Sequence, residues 1–235
     1  MLIHILDDFQ RNPTQAIITL AAFSFSLVIA ITVHEFSHAL AATSLGDRTA
    51  QSQGRLSLNP AAHLDPVGTA LIFFAGFGWG KPTPVNPFLF LRISPRQGMA
   101  LVSVAGPISN IVVASLFAIP IRAGLVDTGG FGFELFGESA NDIAGVILIN
   151  MVFWNLLLAT FNLLPIAPLD GFKAVLGILP PKSARGFARL EQYGPGILMM
   201  TIMLEYILPG PGILSSFINP ILNLLTTVVL GGQVL

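Results

Sequence analysis

His34 and His38 flank Glu35 in the segment HEFSH, and these three residues are the best suited to chemistry. On a helix, residues four apart share one face, so both imidazoles can reach a single ion. Glu35, one position further round, can hold a water molecule bound to that ion. Zinc with two histidine ligands needs a third protein ligand and an open position for water. The ion lowers the pKa of that water to about 7, and the carboxylate can remove its proton during attack on a scissile carbonyl.

Asp170 is the preferred third ligand, because it closes an apolar stretch in the segment NLLPIAPLDG at residues 162–171. Two prolines interrupt a helix before it, and Gly171 permits a tight turn that can swing the carboxylate towards a neighbouring helix. An ordinary helix-ending turn is the alternative meaning of such a segment. His63 and Asp65 are the rival ligands, since both lie in the loop that follows the first apolar stretch.

The composition places these residues in a membrane protein. Of the 235 residues, 53% are hydrophobic and only 10% are charged, and the mean hydropathy is +0.77. Soluble proteins carry roughly 25% charged residues. A net charge of −1 gives no electrostatic reason to expect nucleic acid as a partner. The chain has no cysteine, so a metal must be held by His, Asp or Glu.

Five apolar stretches predict an all-α polytopic membrane protein of about five transmembrane helices, because a span needs about 20 apolar residues. These stretches are residues 12–45, 97–121, 143–169, 193–208 and 213–231. No repeat or soluble linker is visible, so we expect a single membrane-embedded domain over residues 1–235. The first residues carry Asp7 and Asp8 where a signal peptide would be basic, so we expect no signal peptide.

Residues 66–87, between the first two spans, fit none of these helices. The apolar part is too short to cross a bilayer, its glycines weaken a helix, and three prolines end any regular continuation. We expect a short re-entrant or extended segment, which must be shielded by protein or line a wet cavity. A loop lying on the bilayer surface is the alternative.

The basic residues predict the orientation of the spans. Nine of the eleven Lys and Arg residues fall in loops 46–96 and 171–192, whereas loop 122–142 has one. Because cytoplasmic loops are enriched in Lys and Arg, we expect the first two loops inside and the N-terminus outside. The ends of the first and third spans then both reach the cytoplasmic side, which would bring Asp170 to the histidines.

The sequence resembles the site-2 protease family of intramembrane metalloproteases. The matching segments are HEFSH at 34–38, GRLSLNPAAHLDPVG at 54–68, GKPTPVNP at 80–87, AGPISN at 105–110 and NLLPIAPLDG at 162–171. The resemblance implies a zinc ion held by His34, His38 and Asp170, with Glu35 as the general base. It implies cleavage of membrane-anchored protein substrates within or beside the bilayer, in the plasma membrane of a prokaryote. The PDZ and CBS domains common in this family have no room here, so we expect the minimal catalytic core.

Two asparagines and two basic side chains complete the candidate set. A buried amide in lipid needs a partner. For Asn110, helix packing is the preferred interpretation, and orientation of the substrate backbone is the alternative. Asn162 lies near the proposed ligand Asp170 and within the family's motif, so we expect a role beside the active site. His63 and Lys81 remain possible helpers in catalysis.

A metal transporter that uses the same His and Asp residues is the rival hypothesis. Transporters typically show repeated halves with broken helices at corresponding positions. This sequence shows one proline-broken site of that kind. A purely structural membrane protein would leave the cluster at residues 34–38 unexplained, so the hydrolytic interpretation is preferred.

Overall fold

A computed structural model describes residues 12–75, 78–126, 143–207 and 212–231. Within these ranges the regular structure is helical, and a single antiparallel bridge joins Leu64 and Gly80. The helices are α1 Pro13–Ser44, α2 Thr49–Ser52, α3 Pro66–Ala75, α4 Pro95–Arg122, α5 Ile143–Asn162, α6 Asp170–Ile178, α7 Pro181–Ala188, α8 Gly194–Ile207 and α9 Ile213–Leu230. The all-α polytopic architecture predicted from the sequence is confirmed.

Four of the described helices are long and apolar enough to cross a membrane: α1, α4, α5 and α9. Helix α8 has 14 residues, which at about 1.5 Å per residue is shorter than a hydrocarbon core of about 30 Å. The fifth span, expected at residues 193–208, therefore stays a prediction. Residues 1–11 and 127–142, which carry the predicted external N-terminus and most of the predicted external loop, lie outside the described residues.

The ends of the spanning helices follow from local sequence. Helix α1 starts at Pro13, a residue suited to a first helical turn, and stops before Gly46, whose φ of +108° disfavours other residues. Helix α4 starts after Ser94, whose hydroxyl accepts a hydrogen bond from the amide of Gln97. Helix α5 ends at Asn162, so the third apolar stretch is a helix followed by a non-helical turn at residues 163–169.

The segment at 66–87 divides into a short helix and an extended strip. Asp65 caps α3 by accepting the amide of Gly68 at 2.8 Å, and Pro66 occupies the first position of that helix. Gly68 allows residue 79 to approach the helix closely, since a Cβ at residue 68 would lie 2.1 Å from the carbonyl oxygen of Trp79. Of the glycines in this segment only Gly68 lies within α3, so the others do not interrupt this capped helix. The remainder, residues 78–86, contains no helix; Gly80 forms the bridge to Leu64 and Asn86 has an extended backbone, so we call these residues the extended strip.

Helix α4 lies at the centre and packs against α1, α5 and α6. Its small residues face buried side chains of α5 and α9 in one apolar cluster, which includes Ala114, Ala118, Val152, Leu156 and Leu222. A second cluster joins the α1 residues Phe23, Leu27 and Ile31 to Trp154 and Leu158 of α5. The outward faces expose large apolar side chains, including Phe25, Leu116 and Phe217, which suits contact with lipid. This bundle brings the end of α1, the first half of α4 and the end of α5 together.

Candidate metal centre

Three side chains from two distant parts of the chain converge at one buried point. His34 and His38 lie one turn apart on α1, and Asp170 is the first residue of α6. The Asp170 Oδ2 atom is 3.0 Å from His34 Nε2 and 3.2 Å from His38 Nε2. The three potential ligand atoms lie within 4.8 Å of one another, and the histidines are only 5% and 7% exposed. The geometry brings together the three residues predicted as ligands.

The turn before α6 explains why Asp170 can reach α1. Leu169 is extended, with φ −66° and ψ 157°, and helix α6 begins immediately after it. A Cβ at Gly171 would lie 2.1 Å from the Leu163 carbonyl oxygen, so this close turn requires glycine. One oxygen of Asp170, Oδ2, therefore faces the Nε2 atoms of both histidines. A carboxylate must be ionised to act as a metal ligand.

The orientation of His34 is set by a chain of amides. Its Nδ1 atom lies 2.7 Å from Asn110 Oδ1. Asn110 Nδ2 donates to the Ala30 carbonyl and to Asn155 Oδ1, and Asn155 Nδ2 donates to the Met151 carbonyl of its own helix. Since Asn155 presents its oxygen, Asn110 must turn its own oxygen to His34. The imidazole proton is therefore on Nδ1, and the Nε2 lone pair faces Asp170.

His38 obtains the same tautomer from a different acceptor. Its Nδ1 atom lies 2.7 Å from the backbone carbonyl of Val102 on α4, so it donates its proton there and keeps Nε2 free. Helix α4 can approach this closely because residue 106 is glycine. A Cβ at Gly106 would lie 2.6 Å from His38 Nε2 and 2.7 Å from His34 Cε1. The glycine therefore makes room for both rings.

These donors fit zinc. Two imidazole nitrogens and one carboxylate oxygen form a set that leaves further coordination positions for water or substrate, as catalytic zinc sites require. Both rings also have their second nitrogen bonded to an oxygen acceptor, the arrangement that metal-binding histidines generally show. The fit rests on the donor atoms and on their hydrogen-bonded surroundings.

Glu35 faces the extended strip that follows α3. Its Oε2 atom accepts the Thr83 amide at 2.9 Å and lies 2.7 Å from the Thr83 hydroxyl. That hydroxyl is also 3.0 Å from the Glu35 backbone carbonyl. Sequence reasoning placed Glu35 beside the metal but missed Thr83, which is 48 residues away.

The other candidates lie outside the group of three ligands. His63 is buried with Nε2 bonded to the Ser57 carbonyl, and Asp65 caps α3. Asn162 donates to the Leu158 carbonyl of its own helix, and Lys81 is exposed. A role for His63, Asn162 or Lys81 in substrate binding or catalysis therefore stays a prediction. Asn110 serves both helix packing, through Ala30, and the histidine, whereas packing alone was preferred from the sequence.

Asn155 is a further residue that sequence reasoning missed. Its signal was present, because it is an amide in the middle of an apolar span. Which amide faces the histidine depends on how α4 and α5 cross, and the sequence of either helix alone does not predict that crossing.

Known proteins similar to this chain are named as zinc metalloproteases. The chain is 41% identical over 170 residues to the "Putative zinc metalloprotease YwhC" of Bacillus subtilis, a match that covers 72% of this chain and 74% of the relative. It is 30% identical over 188 residues to the "Putative zinc metalloprotease Rip2" of Mycolicibacterium smegmatis, covering 77% of this chain and 67% of the relative. No family model matches the chain, and no solved structure matches it significantly. These relatives, the His-Asp site suited to zinc and the apolar spanning helices agree with one another: the chain is a prokaryotic membrane protein of the site-2 protease family of zinc metalloproteases.

Proposed function

We propose that this chain is an intramembrane endopeptidase that hydrolyses peptide bonds of membrane-anchored proteins. His34, His38 and Asp170 would hold the zinc ion, Glu35 would act as the general base, and residues 1–235 would form one catalytic domain. One observation carries this proposal: a buried His-His-Asp group, with a carboxylate on the adjacent residue, has both its histidines within the second half of a membrane-spanning helix. Buried ionisable groups in such a place are functional by default.

The reaction can be assigned to the residues of the chain. Zinc, when bound, acts as a Lewis acid and brings the pKa of a water molecule close to neutral. Glu35 takes a proton from the attacking water through a carboxylate oxygen and then gives it to the nitrogen of the leaving amine. Asn110 and the Val102 carbonyl hold the two imidazoles in their tautomers throughout, so that the site does not reorganise during the reaction.

The membrane setting supports a particular substrate class. The proposed histidine ligands lie within the second half of a spanning helix, so a protein anchored in the same bilayer can bring its chain to their depth. A substrate helix has its carbonyls hydrogen-bonded internally, so it must unwind before attack. We propose that the active site faces the cytoplasm of a prokaryotic plasma membrane, because the two loops flanking it hold nine of the eleven basic residues.

The substitution Glu35→Gln tests this function. Gln keeps nearly the same shape but cannot accept the proton, so we expect zinc content and thermal stability close to wild type. Cleavage of a reconstituted membrane-anchored substrate should fall by several orders of magnitude, since base and positioned water fail together. His34→Ala and His38→Ala should lose the metal itself, measured by elemental analysis.

Glu191→Gln is the matched control, because Glu191 is exposed in a short turn away from the site. It should cleave at the wild-type rate. Near-normal cleavage by Glu35→Gln would contradict the protease mechanism and favour metal transport instead. Loss of zinc from Glu35→Gln as complete as from the histidine variants would make Glu35 a ligand.

A further inference from the structure

The extended strip, residues 78–86, is fixed by contacts that do not involve the metal ligands. The buried Arg55 guanidinium donates from Nη2 to the carbonyl oxygens of Lys81 and Pro82 at 2.5 and 2.6 Å. The Lys81 amide donates to the His63 carbonyl at 2.7 Å. At the far end, the fully buried Asp47 accepts the Asn86 amide at 2.6 Å. Arg55 is 4% exposed and Asp47 is 0% exposed, so these contacts are shielded from water.

Thr83 lies between these anchors and turns towards Glu35. Pro82 and Pro84 flank it, which restricts the backbone to extended conformations and leaves the Thr83 amide free of a helical partner. Both the amide and the hydroxyl of Thr83 contact one oxygen of Glu35, Oε2. Among the described residues, no donor contacts the other oxygen, Oε1. The carboxylate is thus held through one oxygen and open through the other.

We propose that Thr83 is a positioning residue for Glu35, an inference that rests on the proposed function. A glutamate side chain has three rotatable bonds, and a general base must keep its oxygen within about 2.6–3.2 Å of the proton it removes. The Thr83 amide and hydroxyl both contact Oε2 and so restrict rotation of the carboxylate. The other oxygen, Oε1, therefore points in one direction. The strip carries these donors because its anchors at residues 81, 82 and 86 hold it in place independently of Glu35. Thr83 itself does not touch the reacting atoms.

The hydroxyl of Thr83 is therefore expected to affect turnover more than substrate binding or metal binding. Thr83→Val preserves side-chain shape and the backbone amide but removes one of the two donors. Hydrogen bonds to charged groups are stronger than neutral ones, so we expect kcat to fall about tenfold or more. KM and zinc content should remain within about twofold of wild type. Thr83→Ser, which restores the hydroxyl, should recover most of the lost kcat.

Thr69→Val is the matched control, because the Thr69 hydroxyl is buried without a hydrogen-bond partner. Both valine variants delete a hydroxyl from the region between α1 and α4, but only Thr83 contacts Glu35. Thr69→Val should therefore keep the wild-type kcat. A wild-type kcat for Thr83→Val would overturn the proposal. So would a loss that Thr83→Ser does not recover, since a hydroxyl is what the proposal requires.

A double-mutant cycle tests the contact between Thr83 and Glu35 without a measurement of activity. Thermal stability in detergent is measured for Thr83→Val, Glu35→Ala and the combined variant. If Thr83 holds the carboxylate, Thr83→Val lowers the melting temperature less in the Glu35→Ala background than in the wild type, because only the hydroxyl contact with the backbone carbonyl of residue 35 is left to lose. Additive losses would overturn the proposal. A wild-type protein that shows this coupling but cleaves nothing would refute the proposed function alone.

Discussion

The Asn155 side chain bonds to Asn110 rather than to a proposed ligand, and together with the Ala30 carbonyl it sets which way the Asn110 amide turns. Asn155 Nδ2 donates to a carbonyl of its own helix, so Asn155 presents its oxygen to Asn110. Asn110 then presents oxygen to His34, and His34 presents a lone pair to the metal position. If the Asn110 amide rotated by half a turn, its oxygen would face two other acceptors, the Ala30 carbonyl and Asn155 Oδ1. A residue on α5 thus helps to orient His34.

Replacing Asn155 by Leu should weaken zinc binding without removing a ligand. Asn110 would lose one of its two acceptors and keep only the Ala30 carbonyl, so its amide and the His34 tautomer would be held less firmly. We expect the zinc dissociation constant to rise about 10- to 100-fold, the usual range for residues that orient a ligand. Titration with a competing chelator in detergent measures it.

Asn150→Leu is the matched control for this substitution. Asn150 is on the same helix but bonds to the Val146 carbonyl and to Trp154 rather than to Asn110. Its loss should leave zinc affinity unchanged. Equal affinities of Asn155→Leu and wild type would show that the Ala30 carbonyl alone holds the orientation of Asn110.

Helix α4 contributes to the site mainly because it lies close to the two histidines of α1. It supplies the Val102 carbonyl, the Asn110 amide and, at Gly106, the space that both imidazoles occupy. Small residues of this kind are what allow helices to approach in a membrane. The site therefore depends on the distance between α1 and α4 as well as on its ligands.

Gly106→Ala should separate α4 from the two rings. Its Cβ would lie 2.6–2.7 Å from atoms of His34 and His38, so either the helix or the rings must shift. We expect a zinc content well below half of wild type and a lower melting temperature in detergent. Overpacking a tight core typically costs about 1–3 kcal/mol.

Gly186→Ala provides the comparison, because a Cβ at this helical position meets no atom within 4 Å. Alanine favours helix over glycine, so this variant should be neutral or slightly more stable. A Gly106→Ala protein with full zinc content would mean that the bundle relaxes more easily than the contacts indicate.

Sequence patterns predicted the elements better than the contacts between them. Periodicity was enough to place His34 and His38 on one face, and the charge asymmetry was enough to expect Asp170 at the same end. The sequence did not reveal Thr83 as the partner of Glu35, because the two residues are 48 positions apart and only the fold brings the Thr83 amide and hydroxyl to the carboxylate. Asp65 was considered a rival ligand, but carboxylates before a proline also cap helices, and only the position of α3 distinguishes these uses. Local sequence patterns predict the helices and where they end, whereas the way in which helices cross determines which side chains contact one another.

The orientation of the whole bundle in the membrane can be measured. Loops 46–96 and 171–192 lie at the end of the bundle where the ligands meet, and the turn after α4 lies at the other. We predict that the first end is cytoplasmic. The chain has no cysteine, so single cysteines can be introduced without removing any other.

Ser183→Cys and Leu125→Cys test this orientation, because both positions are exposed. An impermeant thiol reagent applied to intact cells should label the cysteine at position 125. The cysteine at position 183 should react only after the membrane is opened. Labelling of position 183 from outside would invert the topology and put the metal centre on the external face.

The distance in sequence between the ligands has a consequence for biosynthesis. His34 and Asp170 are 136 residues apart, and Asn155 also follows the histidines by more than a hundred positions. A ribosome therefore delivers the two imidazoles to the bilayer well before the carboxylate and the orienting amide have been translated. Two histidines alone make an incomplete zinc site, so under the proposed function we expect no hydrolysis by a nascent chain that lacks Asp170. The order of translation would thus delay activity until the carboxylate has been made.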